Sequence, residues 1–223
     1  MSSNAIKKLL KQRHSVRGFR EDEVAPELLT EVFSLAQHSV SNCNTQPWKT
    51  FVASGSVKDQ LKQRLVETVV SGAKPDSDFQ YYSAFNGEHR ERQIQCAMAL
   101  YDAMGVERHD KVKRQHALLR NFEFFGAPHV AFICMPKTFE VINALDIGIY
   151  LQSLMLIMES FGIGCCPQGA LSFYPEAIKK SLDIPESMGV LVGLSFGYED
   201  KTQLANNTRT SRANLTDSVR FYS

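Results

Sequence analysis

Apolar residues recur at helical spacing in two early stretches. Ile6, Leu9 and Leu10 share a face between Ala5 and Arg13, and Leu28, Leu29, Val32, Phe33 and Ala36 repeat the pattern from Pro26 to Gln37. Pro26 suits the first turn of the second helix, where its missing N–H costs nothing. Trp48 to Ala53 predicts a strand, and Val57 to Val70, with Leu61, Leu65 and Val69, predicts a helix. From Ser71 to Asn121 the chain turns polar and carries the charge-dense runs Glu88–Arg92 and Arg108–Arg114. Such runs predict solvated helix faces, and the stretch reads as a helical excursion rather than a second domain.

After Gly126-Ala127-Pro128, His129 to Met135 predicts a short strand. Asn143 to Phe161 is apolar on nearly every side, so its helix is central or lies in an interface. Pro175 to Leu182 predicts a short amphipathic helix, and Met188 to Phe196 a strand buried on both faces. The polar tail after Asn206 ends in Val219-Arg220-Phe221-Tyr222, as a docking segment would. Helices and strands mix without strict alternation, which predicts an α+β fold over residues 1–223 as one domain.

Composition narrows the function classes. Lys and Arg number 25 against 24 Asp and Glu, for a net charge of +1, so no global field draws nucleic acid or an anionic membrane and any anion site is local. Five cysteines, two of them adjacent, make a poor disulfide framework and fit a reducing compartment. The first residues lack the apolar core of a signal peptide, and the expectation is a cytoplasmic protein. The six histidines show no metal-ligand spacing, so no metal site is expected.

Four segments carry candidate chemistry. Arg13-His14-Ser15-Val16-Arg17 sets two guanidinium groups around a hydroxyl at a helix end, a set that clasps a phosphate or simply complements the helix dipole. Arg209 and Arg212 bracket Thr210 and Ser211 in the same manner, as a second clasp or as surface decoration. Asn42-Cys43-Asn44-Thr45-Gln46-Pro47-Trp48 is a polar turn that feeds a strand and offers hydrogen-bonding groups to a flat heteroaromatic ligand. The fourth, Gly164 to Gly169, reads as a permissive turn whose donors are Cys166, Gln168 and Gly169, because Pro167 has no N–H. Gly162-Ile163-Gly164 follows a helix and lacks the third glycine of a dinucleotide loop. Gly193-Leu194-Ser195-Phe196-Gly197 matches the spacing of a hydrolase nucleophile elbow, but polar loop rather than helix follows it.

Taken in chain order, these segments resemble the FMN-dependent nitroreductase family, in its nitrobenzoate reductase-like branch. Ala127-Pro128 before a strand and Asp146-Ile147-Gly148 in the long helix add to the likeness. The resemblance implies an α+β sandwich, with a central mixed or antiparallel sheet flanked by helices, in a domain-extended homodimer with flavin at the subunit interface. It further implies ping-pong electron transfer from NADH or NADPH to a nitroaromatic, a quinone or a related conjugated acceptor. Carried over to this sequence, Arg13, His14, Ser15, Arg17, Arg209 and Arg212 hold FMN, and Asn42 and Asn44 reach it from the other subunit. Cys166, Pro167, Gln168 and Gly169 line it, with a backbone N–H directed at flavin N5. Many relatives carry a carboxylate where Gln168 stands, so only the backbone role transfers. Arg120 and Phe124, with Phe122 and Phe125, are the substrate-side candidates. No side chain is assigned as catalytic acid or base, because hydride goes to the flavin and solvent supplies protons. A serine hydrolase built on Ser195, and a flavin-binding protein without turnover, are the alternatives.

Overall fold

The computed structural model describes residues 3–80 and 84–223, so residues 81–83 of the polar excursion lie outside the described residues. Its strands in chain order are β1 (Lys49–Ser54), β2 (His129–Pro136), β3 (Gly164–Gln168) and β4 (Met188–Gly197). They form one antiparallel sheet in the order β1-β2-β4-β3. Around it run α1 (Ser3–Gln12), α2 (Pro26–Ala36), α3 (Gly55–Val70), α4 (Gly87–Ala103), α5 (Lys111–Leu119), α6 (Val141–Ser160), α7 (Pro175–Leu182) and α8 (Leu215–Ser218).

Both faces of the sheet are covered, and strand alternation divides the core in two. Along β2, Val130, Phe132 and Cys134 join a cluster with Leu61 and Leu65 of α3 and Ile178 of α7. Ala131, Ile133 and Met135 face the other way, toward Val32 and Ala36 of α2 and Tyr150, Leu154 and Met158 of α6. This explains why β2 reads as an uninterrupted apolar run. Burying each large side chain in such a core contributes about 1.5–3 kcal/mol before entropy is counted.

The expected turn at Gly164 to Gly169 is mostly strand. Gly164 to Gln168 pair with Gly193 to Gly197 of β4, and only Gly169–Ser172 form a 3-10 turn. Pro167 does not break this pairing because β3 lies at the end of the sheet order, where a missing donor is tolerated. Cys165 and Cys166 consequently join opposite cores, so they form no redox pair.

Helix α6 is 20 residues long, and by length and composition it could cross a bilayer. Here it packs on the sheet through Ile147, Tyr150, Leu154, Met155 and Met158. Its outer face stays bare, with Val141 84% and Leu145 59% exposed beside Ile142. The polar excursion is tied down at its start by Asp78, whose Oδ1 meets Lys179 at 2.7 Å and Lys137 at 2.9 Å. The other oxygen, Oδ2, accepts the Val190 N–H at 3.0 Å.

His129 opens β2 as a buried polar junction. Its Nε2 accepts the Val24 N–H at 2.9 Å, which leaves the proton on Nδ1 to be donated to the Ser54 hydroxyl. Its ring stacks on Phe196 at 5.2 Å. Burial holds its pKa below the ordinary 6.5, since an imidazolium here loses solvation and can no longer accept from Val24. The folded state thus prefers neutral His129, and stability present above the unfolded pKa of 6.5 is lost as pH falls below it. We predict that denaturant titrations across this range show a decline in wild-type stability that is diminished in His129→Gln. Parallel pH profiles for the two proteins would remove His129 as its source.

Candidate functional site

Helix α1 ends at Gln12, and the following segment runs alongside the open edge of β3. Ser15 bridges to Cys165 in parallel sense, and the Val16 N–H donates to the Cys165 carbonyl at 3.0 Å. Val16 is buried against Gly164, where any Cβ would collide with it. With Val16 turned inward, Arg13, Ser15 and Arg17 line the open side together with His14. The grouping arises from an extended run beside the sheet rather than from spacing on a helix end.

The other half of the site comes from beyond β4. Phe19 bridges to Glu199, the Arg20 N–H donates to the Tyr198 carbonyl at 2.9 Å, and the Asp200 N–H donates to Gly18 at 3.1 Å. Gly18 is required here, because a Cβ would strike the Gln203 side chain. Asn206 locks the junction. Its Oδ1 accepts the Arg17 N–H at 2.6 Å, and its Nδ2 donates to Gly18 at 2.8 Å and Asp200 at 2.9 Å. Sequence reasoning missed this residue, which carries only an uninformative Asn-Asn-Thr match. The chain then passes Thr208 to Arg212, and Arg209 donates through Nη1 to the carbonyls of Asn206 and Thr208.

The result is one cleft of about 350 Å³ lined by Arg13, His14, Ser15 and Arg17 from one end of the chain and by Thr208, Arg209, Thr210 and Arg212 from the other. Cys96 of α4 also borders it, without any sequence signal. His14 is braced, with Nδ1 3.0 Å from the Gln12 carbonyl and Nε2 3.1 Å from Glu199. Four guanidinium groups and several hydroxyls converge on one space, a donor set that matches a phosphate monoester.

The end of β3 adjoins this cleft through Cys166, whose thiol is near Ser15 and Arg17. Burial pushes the Cys166 thiol up to about 11 and the Cys165 thiol up to about 12, so both remain protonated and inert at neutral pH. Gln168 is buried, and its side chain accepts from the Ser195 hydroxyl and donates to the Asn121 carbonyl at 2.8 Å. Ser195 therefore sits mid-strand in β4 with its proton directed at an amide oxygen. It is no nucleophile elbow, which needs an exposed hydroxyl on a strand-to-helix turn.

Two expected substrate-side residues are placed otherwise. Phe124 is 0% exposed and packs edge-on against Phe132 at 6.4 Å, so its ring belongs to the core. Phe122 and Phe125 are buried with it. Arg120 is half-buried over the Phe125 ring and donates to the Arg17 carbonyl at 2.8 Å, bracing the site from behind. It borders a separate cleft with Lys62, Glu123 and Gln203.

Asn42 and Asn44 do not line the arginine cleft. They form an exposed 3-10 turn in which Cys43, Asn44 and Gln46 adopt left-handed backbone, with φ of 50°, 55° and 46°. The Asn42 N–H donates to Asp146 Oδ1 of α6 at 3.0 Å, and Asp146 Oδ2 is buried without a hydrogen-bond partner among the described residues. Behind the turn, the Trp48 indole stacks on Tyr150 at 4.8 Å and donates to Gln37 at 2.9 Å. The turn is thus pinned to α6 beside that helix's bare apolar face.

Comparison with known proteins agrees with this architecture. The profile described as "Nitroreductase family" matches residues 10–198. The chain is 41% identical to nitroreductase NfnB of Mycolicibacterium smegmatis, over 98% of this chain and 93% of that one. It is 30% identical to a 4-nitrobenzoate reductase of Pseudomonas putida, over 90% and 88% of the two chains. The crystal structure of the FMN-dependent nitroreductase NfnB from Mycobacterium smegmatis in complex with NADPH superposes with a TM-score of 0.95 at 40% identity, covering 99% of each chain. The crystal structure of the FMN and NADPH-dependent nitroreductase NfnB from sphigopyxis sp. strain HMH gives 0.94 at 26% identity, over 97% of this chain and 98% of that one. On the sheet, the two-ended arginine cleft and these likenesses together, the chain belongs to the nitroreductase family.

Proposed function

We propose that this protein is an FMN-dependent oxidoreductase that uses NAD(P)H, in a ping-pong mechanism, to reduce nitroaromatics, quinones or related conjugated acceptors. The carrying observation is the convergence of Arg13, Ser15, Arg17, Arg209 and Arg212 on one cleft beside the edge of β3. Arg209 uses Nη1 on backbone carbonyls, which leaves its Nη2 and Nε for the FMN phosphate. Bound FMN supplies the two-electron step between nicotinamide and acceptor. Arg17, whose backbone N–H is held by Asn206, is the candidate cation for the reduced, anionic ring.

Strand geometry supports Gly169, just past the end of β3, as the donor to flavin N5. The N–H and C=O of one strand residue point to the same edge, and successive residues alternate. The Cys165 carbonyl turns outward to Val16, so Pro167 and then Gly169 follow on that edge. Pro167 has nothing to donate, and Gly169 takes the role.

A second copy of the chain completes the site in this reading. The Asn42–Asn44 turn is bonded to α6, and α6 exposes Val141, Ile142 and Leu145 beside it. Covering that apolar face with another subunit carries the turn toward the partner's cleft and supports a homodimer with flavin at the interface. One sheet with its two cores supports a single domain over residues 1–223, and five unpaired cysteines support a reducing cytoplasm.

Purified protein supplied with FMN should be yellow and should oxidise NADPH when a nitroaromatic acceptor is added. Failure to retain FMN would refute the reading, and flavin retention without turnover would leave a binding protein. Arg13→Ala and Arg209→Ala should each weaken FMN binding roughly ten- to a hundredfold, or about 1.4–2.8 kcal/mol, the range of a lost charge-assisted bond. Unchanged affinity in both, measured by fluorescence quenching, contradicts the phosphate clasp. Refolding a mixture of inactive Arg209→Ala and Asn44→Ala chains should restore activity, because one site of each mixed dimer is then intact; no recovery opposes a shared site.

A further inference from the structure

Gln168 is the last residue of β3 and is 3% exposed, so its amide acts inside the protein. One end accepts from Ser195, itself fully buried on β4. The other donates to the Asn121 carbonyl at 2.8 Å, with the Asn121 side-chain oxygen a further 3.4 Å contact. Asn121 closes the helical excursion, and its neighbour Arg120 donates to the Arg17 carbonyl at 2.8 Å. The end of the excursion is therefore tied both to the Arg17 backbone and to the end of β3, one tie being an amide that must accept and donate at once.

We infer that Gln168 is a positioning residue for hydride transfer, holding the end of β3 and the Arg120–Asn121 corner in fixed relation so that Gly169 meets the flavin at one height. This rests on the flavin reading above. Chemistry restricts the role to an amide. A carboxylate of the same shape still accepts from Ser195 but turns an acceptor toward the Asn121 carbonyl with no proton between them. A thioether of similar length removes both bonds, leaving the buried Ser195 hydroxyl unpaired and the Asn121 carbonyl with only the Phe124 N–H, 3.3 Å away. Neither change touches the arginine cleft, so phosphate binding and ring positioning separate.

The test compares Gln168→Glu and Gln168→Met with the wild type as FMN-loaded protein. Expected are a less than threefold rise in the FMN dissociation constant, an at least tenfold slower single-turnover hydride transfer from NADPH, and a shifted visible flavin band. Amide exchange across residues 122–126, measured on protein without FMN, should rise at least tenfold in both. Ser195→Ala, which removes only one donor, gives a milder variant should either substitution fail to fold, and an approximately threefold change in exchange and transfer is expected. Wild-type transfer rate and exchange in any folded Gln168 variant overturn the proposal while leaving the flavin reading intact. Wild-type protein that takes up no FMN removes the flavin reading and the proposal with it.

Discussion

The cleft depends on the Asn206 side chain. Arg17 and Asn206 are separated by 189 residues, and nothing local keeps the two basic segments together. The amide supplies an acceptor for the Arg17 N–H and donors for the Gly18 and Asp200 carbonyls from a position 3% exposed. Asp could not donate, and Ser could not reach three partners. Each buried partner left unsatisfied costs about 1–3 kcal/mol, so the junction is specified far more sharply than the exposed arginines it carries. The backbone that carries those arginines is thus ordered in advance of any ligand.

The sheet makes that junction possible. Both faces of β2 and β4 are buried, which fixes the register of β3, and β3 in turn offers its free edge to Val16. Edge position reconciles a proline with strand structure and sends the adjacent cysteines into opposite cores. Burial keeps the Cys165 and Cys166 thiols protonated. Helix α6 performs two tasks, closing one core with its inner side and presenting Val141, Ile142 and Leu145 outward. The Asn42–Asn44 turn is bonded to the same helix through Asp146.

Much of this was legible in the chain. Helical spacing located α2, α3 and α7 to within two residues, and the all-round apolarity of Asn143 to Phe161 announced a helix with two apolar surfaces. The Arg-His-Ser-Val-Arg and Arg-Thr-Ser-Arg segments each offered a phosphate clasp beside a plain structural reading, and only their order along the chain with the other segments favoured the clasp. Phe124 misled because an aromatic beside a polar excursion reads equally as pocket wall or core, and only packing against Phe132 decides. The Ser195 motif was set aside on the polar loop that follows it, and its full burial in β4 agrees, since a motif records spacing but not burial.

The sequence by itself determined whatever rests on neighbours within a few residues: helical and strand periods, the proline at the start of α2, and the residue types able to bind phosphate. Local sterics and side-chain chemistry set these, and they are written in adjacent positions. Tertiary structure alone decided that residues 13–17 and 208–212 share one cleft, that Gly164 to Gln168 is an edge strand, and that Gln168 and Asn206 work as buried amides. Those outcomes come from long-range pairing and burial, which depend on the whole packed core and leave no periodic trace in the chain.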